Sequence, residues 1–263
     1  MKKLLAGLMA ALLVLTLSVT ALAGARLDAI KASGKLVVGT SPDYAPYEFL
    51  DLQGNPVGAD IELAKYIAEQ LGVELVIEQL QFDAVLAAVA GGAIDVAIAG
   101  MDPTPERMSS MAFTDIYYNE TVQQILIHKD NADTLKTLED FAGKKVAAQN
   151  GTLQQTLVTE QLPDSEIELI TLIPDGVMMV LTKKVDGIAL ASVVADQYMA
   201  NYPDLTTSES NFDYTSSGIA MAVPLGDEEL VATLNEIVAK VVSEGLFYGW
   251  INDAVELNNS INQ

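Results

Sequence analysis

The chain has 263 residues, with 36 Asp and Glu against 14 Lys and Arg, for a formal net charge of −22. A balance this acidic repels nucleic acid and anionic lipid, while leaving the charge of a small ligand open, since that depends on local groups. There is no cysteine, which excludes disulfides and thiol catalysis, and beyond the one histidine, His128, a His-based triad has no candidate.

Lys2 and Lys3 precede an apolar stretch over residues 4–17, and Ala21-Leu22-Ala23 ends the segment before Gly24. A basic start, an apolar middle and an A-x-A end predict a cleaved secretory signal peptide over residues 1–23. No later stretch reaches the ~18 apolar residues of a membrane span.

Residues 35–39 (KLVVG) predict a strand, TSPDYAPYEF a loop, and DLQGNP a turn between two short strands. Ala59–Leu71 carries Ile61, Ala64, Ala68 and Leu71 at helical spacing. Residues 74–77 read as a strand, Phe82–Ala90 as a helix with Phe82, Val85, Leu86 and Val89 on one face, and residues 94–98 as a strand. In AGMDPTPERM, residues 99–108, Thr104 is a good N-cap and Pro105 fits the first helical position. Arg107 then falls in the first turn, where the exposed N–H groups disfavour a cation by roughly 0.3–1 kcal/mol.

The rhythm restarts with a strand over 122–127, a short helix over 137–141, a strand over 145–148 and the loop QNGT opening a helix at Leu153–Gln161. A strand over 167–172, a helix over 176–183, a strand over 187–190 and a helix over 193–198 follow. The turn-rich residues 202–218 lead to a strand over 219–223 and one last long helix with Leu230, Leu234, Ile237 and Val241 on a face. Strands alternating with helices predict two α/β units with parallel sheets, which bind small molecules at their strand-to-loop-to-helix junctions.

Catalytic chemistry finds little support. His128 ends a strand beside Lys129 and Asp130 and reads as a solvated loop residue. No cluster has zinc spacing, no G-x-G-x-x-G or P-loop is present, and DLQGNPVGAD lacks the ligand alternation of a calcium loop. Met178 and Met179 read as core.

KLVVGTSPDYAPYEF, then G-x-D-I-E-L-A-K-x-I-A, then AIDVAIAGM…TPER…AFTDIYY, then AAQNGT follow in order. Together they resemble the extracytoplasmic solute-binding proteins of polar amino-acid ABC importers, the glutamine- and basic-amino-acid-binding group (family 3). The resemblance covers nearly the whole mature chain. It implies the two-lobed α/β fold of type II periplasmic binding proteins, with residues 26–117 and 218–263 in one lobe and 118–217 in the other. The crossovers would lie near residues 117–121 and 214–217. It implies capture of an amino acid, or a related small zwitterion or carboxylate, by hinge closure and delivery to the importer's membrane subunits. No enzyme activity, cofactor, metal or nucleic acid is implied, and the unit would be a monomer.

By the same resemblance Arg107 grips the ligand carboxylate with a two-pronged hydrogen bond, which resolves its mismatch with the helix dipole. Tyr44 and Phe82 match the aromatic pair that holds the ligand side chain, and the Gly100 carbonyl an acceptor for its ammonium. Thr152 and Gln154 match donors to the carboxylate at a helix N-terminus. Three positions depart from the pattern: Asp102 replaces the usual Thr or Ser, Ala191 stands where an acid pairs with the ammonium, and Ser41 where some relatives carry an aspartate. A buried ammonium without a carboxylate is costly, so either Asp102 replaces the missing acid or the ligand is not a standard α-amino acid. LAGA, residues 22–25, resembles a lipoprotein box with alanine at the lipidated cysteine, which predicts export without a lipid anchor. Two alternatives share these features: a periplasmic enzyme like the cyclohexadienyl dehydratases, with Asp102 as general acid, and a sensor that presents ligand to a membrane receptor.

Overall fold

A computed structural model describes residues 25–119 and 122–262. The expected signal peptide, residues 1–23, and positions 120 and 121 of the first expected crossover lie outside the described residues.

Helix α1 (Ala25–Ser33) leads into β1 (Lys35–Thr40), β2 (Phe49–Leu50), β3 (Pro56–Val57), α2 (Ala59–Leu71) and β4 (Glu74–Gln79). Next come α3 (Phe82–Ala90), β5 (Val96–Ala97), the single turn α4 (Pro105–Met108) and β6 (Met111–Phe113). The middle of the chain supplies β7 (Gln123–His128), β8 (Lys145–Gln149), α5 (Leu153–Gln161), β9 (Glu166–Ile170), α6 (Ile173–Leu181), β10 (Gly187–Ala191), α7 (Ser192–Asn201) and β11 (Leu205–Thr207). β12 (Ala222–Pro224), α8 (Glu228–Ser243) and α9 (Leu246–Ile261) complete it.

The strands build two five-stranded sheets, β4-β1-β5-β12-β6 and β11-β7-β10-β8-β9, beside the hairpin β2-β3. Both sheets follow one plan. Three parallel strands joined by helices stand in the order second, first, third: β4-β1-β5 in one sheet and β9-β8-β10 in the other. An antiparallel strand whose chain arrives from the opposite sheet then pairs with the third, β12 beside β5 and β7 beside β10. Helices cover the parallel strands on both faces, so β1 and β10 are nearly continuous apolar runs rather than alternating ones.

The chain crosses between the sheets twice, and the two passages meet. Tyr117 N–H donates to the Ile219 carbonyl at 3.0 Å, and Ile219 N–H to the Tyr118 carbonyl at 2.7 Å. A pair of adjacent strands linking two rigid units is the arrangement about which such units rotate.

Several expectations are corrected. The turn-rich run before the last strand contains β11, three residues paired antiparallel to the edge of β7 and too short for any periodicity. β6 and α1 also went unread. The long helix expected to bury Leu230, Leu234, Ile237 and Val241 is α8, but it is not the last element: Gly245 at φ 65° turns the chain into α9, which went unread. α9 then buries Phe247, Ile251, Ala254 and Asn258. Met178 is 48 % exposed, since α6 buries Ile173, Gly176, Val177 and Val180 and leaves the position after Val177 outside. His128 is no solvated loop residue: its side chain is largely covered, and Nδ1 accepts from Asp130 N–H at 3.1 Å, capping a 3-10 turn.

Candidate functional site

In open α/β sheets a ligand finds its donors at the carboxyl ends of the parallel strands, where loops turn into helix N-termini. Here those ends face each other across the gap between the two sheets. All eight residues singled out, Ser41, Tyr44, Phe82, Gly100, Asp102, Arg107, Thr152 and Gln154, line one cavity there.

Arg107 is held from inside the protein. Thr104 Oγ1 accepts from Arg107 N–H at 3.4 Å, the cap expected of TPER. The side chain turns inward and is 8 % exposed. Nη1 donates to the Asp102 carbonyl at 2.9 Å and Nη2 to the Gly151 carbonyl at 3.4 Å, across the cleft. The guanidinium also lies over the Phe82 ring, 5.2 Å from its centroid. Phe82 itself begins α3 and packs with Val85, Val89 and Met101, so one ring is both core and cavity wall.

Asp102 is 5 % exposed. Burial pushes its carboxyl above the ordinary range, against the lowering effects of Ser216, the Arg107 charge and Tyr214. One carboxylate oxygen accepts from the Ser216 hydroxyl and from Tyr214 O–H, the latter at 3.3 Å. Gly100, two residues earlier, takes φ +53°, and a Cβ there would press on the rings of Tyr44 and Tyr47 at 3.2 and 3.3 Å. Only glycine suits that position.

Two expected donors are committed elsewhere. Thr152 caps α5, accepting from Gln155 N–H at 3.2 Å, and its hydroxyl donates to the Gln149 carbonyl at 2.7 Å. The Gln154 amide donates to Gln123 Oε1 at 2.7 Å and to the Tyr44 hydroxyl at 3.2 Å. A carboxylate at this helix end would instead meet the main-chain N–H groups of Leu153 and Gln154, which the first turn of a helix cannot satisfy. The Tyr44 hydroxyl also accepts from Ala191 N–H at 3.3 Å, so it occupies the position reserved by the resemblance for an acid.

Three polar cavity residues escaped the sequence reading: Asp43, Glu48 and Gln149. Asp43 Oδ1 accepts from Ser41 Oγ at 2.9 Å, while Oδ2 accepts from Gln149 Nε2 and from Ile173 N–H, both at 2.9 Å. The missing aspartate at position 41 drew attention to the serine and away from the acid two residues later. Glu48 and Asp60 are both buried, and burial together with the Asp60 charge holds the Glu48 carboxyl well above the carboxylate range. Their signal was the charge itself, an acid in each of YAPYEF and GADIEL, flanked by apolar residues.

Asp60 carries a pH signature. Burial raises its carboxyl from an ordinary 3.8 to about 6, although Gly100 N–H at 2.7 Å and Tyr117 O–H at 2.9 Å favour the anion. The folded protein thus binds this proton more tightly than the unfolded chain, and the associated stability is lost as pH rises from about 3.8 to about 6. Melting curves across that window are expected to show Asp60→Asn gaining on the wild type as pH rises; a constant difference would contradict this.

The profile of the bacterial extracellular solute-binding proteins, family 3, matches residues 36–250. The chain belongs to that family. Among curated relatives it is 30 % identical over 250 residues to the arginine-binding extracellular protein ArtP of Bacillus subtilis (strain 168), covering 93 % of this chain and 94 % of ArtP. Among solved structures, the amino acid ABC transporter substrate-binding protein AbpA of Streptococcus pneumoniae Canada MDR_19A, bound to L-arginine, aligns with TM-score 0.85 and 33 % identity. The alignment covers 88 % of this chain and 98 % of AbpA. The ancestral amino acid-binding protein AncCDT-1, a precursor of cyclohexadienyl dehydratase, aligns with TM-score 0.80 and 32 % identity over 87 % of this chain and 99 % of that one. This family 3 protein therefore has the two-lobed α/β fold of type II periplasmic binding proteins and a solute-binding function.

For the aromatic pair, Tyr44→Ala is expected to lose on the order of 1–3 kcal/mol of ligand affinity through lost contact area. Phe82→Ala should lose a similar amount and also melt at lower temperature, because the ring belongs to the core. Calorimetry showing unchanged affinity in either variant would remove that residue from the site.

Proposed function

We propose that this family 3 protein captures a cationic amino acid, with L-arginine the first candidate, and hands it to the membrane subunits of an ABC importer. The observation that carries this is the charge inside the cavity: its lining holds one guanidinium, Arg107, and three carboxyl groups, Asp43, Glu48 and Asp102. The ligand's carboxylate goes to Arg107 and to the N-terminus of α5, and its ammonium to Asp102. Its side chain runs between Tyr44 and Phe82 towards Asp43 and Glu48. A neutral amino acid would leave acidic groups without a counter-charge, which is costly in a buried site. The arginine named in ArtP and bound in AbpA supports the same choice.

In this reading residues 26–117 and 218–263 form one lobe and 118–217 the other, and the paired passages at Tyr118 and Ile219 are the hinge. The protein works as a monomer outside the cytoplasm, with residues 1–23 directing export. It performs no chemistry on its ligand in this reading, and Asp102, anchored through Oδ1 by Ser216 and Tyr214, serves as the ammonium's partner rather than as a general acid. Turnover of prephenate or arogenate by the purified protein would refute that last point.

A thermal-shift panel of arginine, lysine, ornithine, histidine, citrulline, glutamine and cystine, followed by calorimetry, tests the ligand class. A true ligand raises stability by mass action, by about 2.7 kcal/mol at a hundredfold excess over Kd. Stabilisation by neutral amino acids and not by cationic ones would overturn the reading.

A further inference from the structure

We propose that Asp43 caps helix α6 from across the cleft, so that the first turn of α6 is completed only when the lobes close on a ligand. The inference rests on the reading that residues 26–117 with 218–263, and residues 118–217, move as lobes about the paired passages.

Three observations carry it. The N-terminus of α6 brings no cap of its own: Leu172 holds the N-cap position without a side-chain acceptor, and Pro174 in the first turn has no N–H. Ile173 N–H donates instead to Asp43 Oδ2 at 2.9 Å, 130 residues away in sequence. By contrast, α5 of the same half is capped locally by Thr152. Next, the α6 side holds a seat for that oxygen. Buried Gln149, at the end of β8, donates through Nε2 to Asp43 Oδ2 and to the Thr171 carbonyl, both at 2.9 Å. One amide thus ties the carboxylate to the chain that enters α6. Finally, the opposite side presents the carboxylate ready-made: Ser41 Oγ donates to Oδ1 at 2.9 Å, and Asp43 N–H donates to the Ser41 carbonyl at 2.8 Å.

This gives the serine at position 41 its purpose. An ionised aspartate there has no proton to donate and sets a second negative charge beside Asp43. When the lobes part, water replaces Asp43 at Ile173 N–H and at one hydrogen of the Gln149 amide. When they meet, two donors converge on one carboxylate oxygen, and an anion meets the positive end of a nine-residue helix. Asp43 is thus a positioning residue: its charge faces the cavity, while its bonds act on α6. Because the cap forms only in the closed state, it adds to the apparent affinity of any ligand that closes the lobes.

The test is hydrogen exchange of the full chain, read at the Ile173 amide with and without saturating L-arginine, beside solution scattering of the same samples. Arginine is expected to slow that exchange roughly tenfold or more in the wild type and to leave it nearly unchanged in Asp43→Ala. The amides of central strand β10 should stay equally protected in both. Asp43→Asn keeps an acceptor oxygen for Ile173 and Gln149, and the Ser41 hydroxyl can turn to accept from its amide, so this variant should recover most of the protection. Equal slowing at Ile173 in Asp43→Ala overturns the proposal. So does an Ile173 amide that arginine leaves unchanged in a wild type whose scattering radius contracts. If calorimetry records arginine binding and the radius stays constant, it is the lobe reading that fails, and this inference with it. If arginine does not bind, the reading of the ligand fails instead, and the cap is judged by the same exchange with the panel amino acid that stabilises the protein.

Discussion

Arg107→Ala is expected to abolish amino-acid binding at any concentration that calorimetry reaches. Among the described residues the guanidinium is the one cationic group lining the cavity, beside three carboxyl groups, and a ligand carboxylate placed there without it would be buried unpaired near like charges. Truncating one partner of such a pair costs about 2–5 kcal/mol or more. Arg107→Lys should restore only a small part of the affinity, because an ammonium cannot present two parallel N–H groups or lie flat on the Phe82 ring. The fold should survive, since the residue sits on a single turn stapled by Thr104 and its two internal acceptors are main-chain carbonyls. Affinity within threefold of wild type in the alanine variant would remove Arg107 from the site.

Asp102→Asn should also lose about 2–5 kcal/mol of amino-acid affinity, by neutralising the partner of the ligand's ammonium. The position offers no substitute, for Ala191 contributes only a main-chain N–H, and that is bonded to Tyr44. The pH dependence follows from the raised carboxyl of Asp102. Binding needs its anion, so affinity should decline as pH falls through a value above the ordinary carboxylate range, and Asp102→Asn should abolish that decline. A variant that binds an amino acid equally well would leave Asp102 with a structural role, tying the loop after β5 to Ser216 and Tyr214. Tighter binding of simple carboxylates by that variant would indicate a ligand without an amine.

Much of the fold was legible because its long elements carry their own period. Ala59–Leu71, Phe82–Ala90 and Leu153–Gln161 fall at the helix limits read from apolar spacing and caps. Elements without a period were missed: β6 and β11 are three residues each and exist only through the partner strands that fix them. Within the site, motif position located residues but not their bonds. Thr152 and Gln154 line the cavity, yet their side-chain donors are spent on Gln149, Gln123 and Tyr44, a competition settled by distances within the fold. Asp43 and Glu48 were invisible for the converse reason. An acid in a surface loop and one buried against another acid look the same in a string of letters, and only packing against α6 and α2 distinguishes them.

The direct bonds across the cleft bear on how long a captured molecule stays. Asp43 with Gln149 and Ile173, Asp83 with Asn150, Tyr44 with Gln154 and Ala191, and Arg107 with Gly151 join the two halves through separate residues. No single rupture frees an exit, so escape requires these contacts to part in one concerted opening. Residence time, more than encounter rate, then sets the strength of retention. Protein prepared under native conditions is expected to carry its cargo through the columns, and mass spectrometry of the small molecules released on denaturation would read the cargo's identity directly.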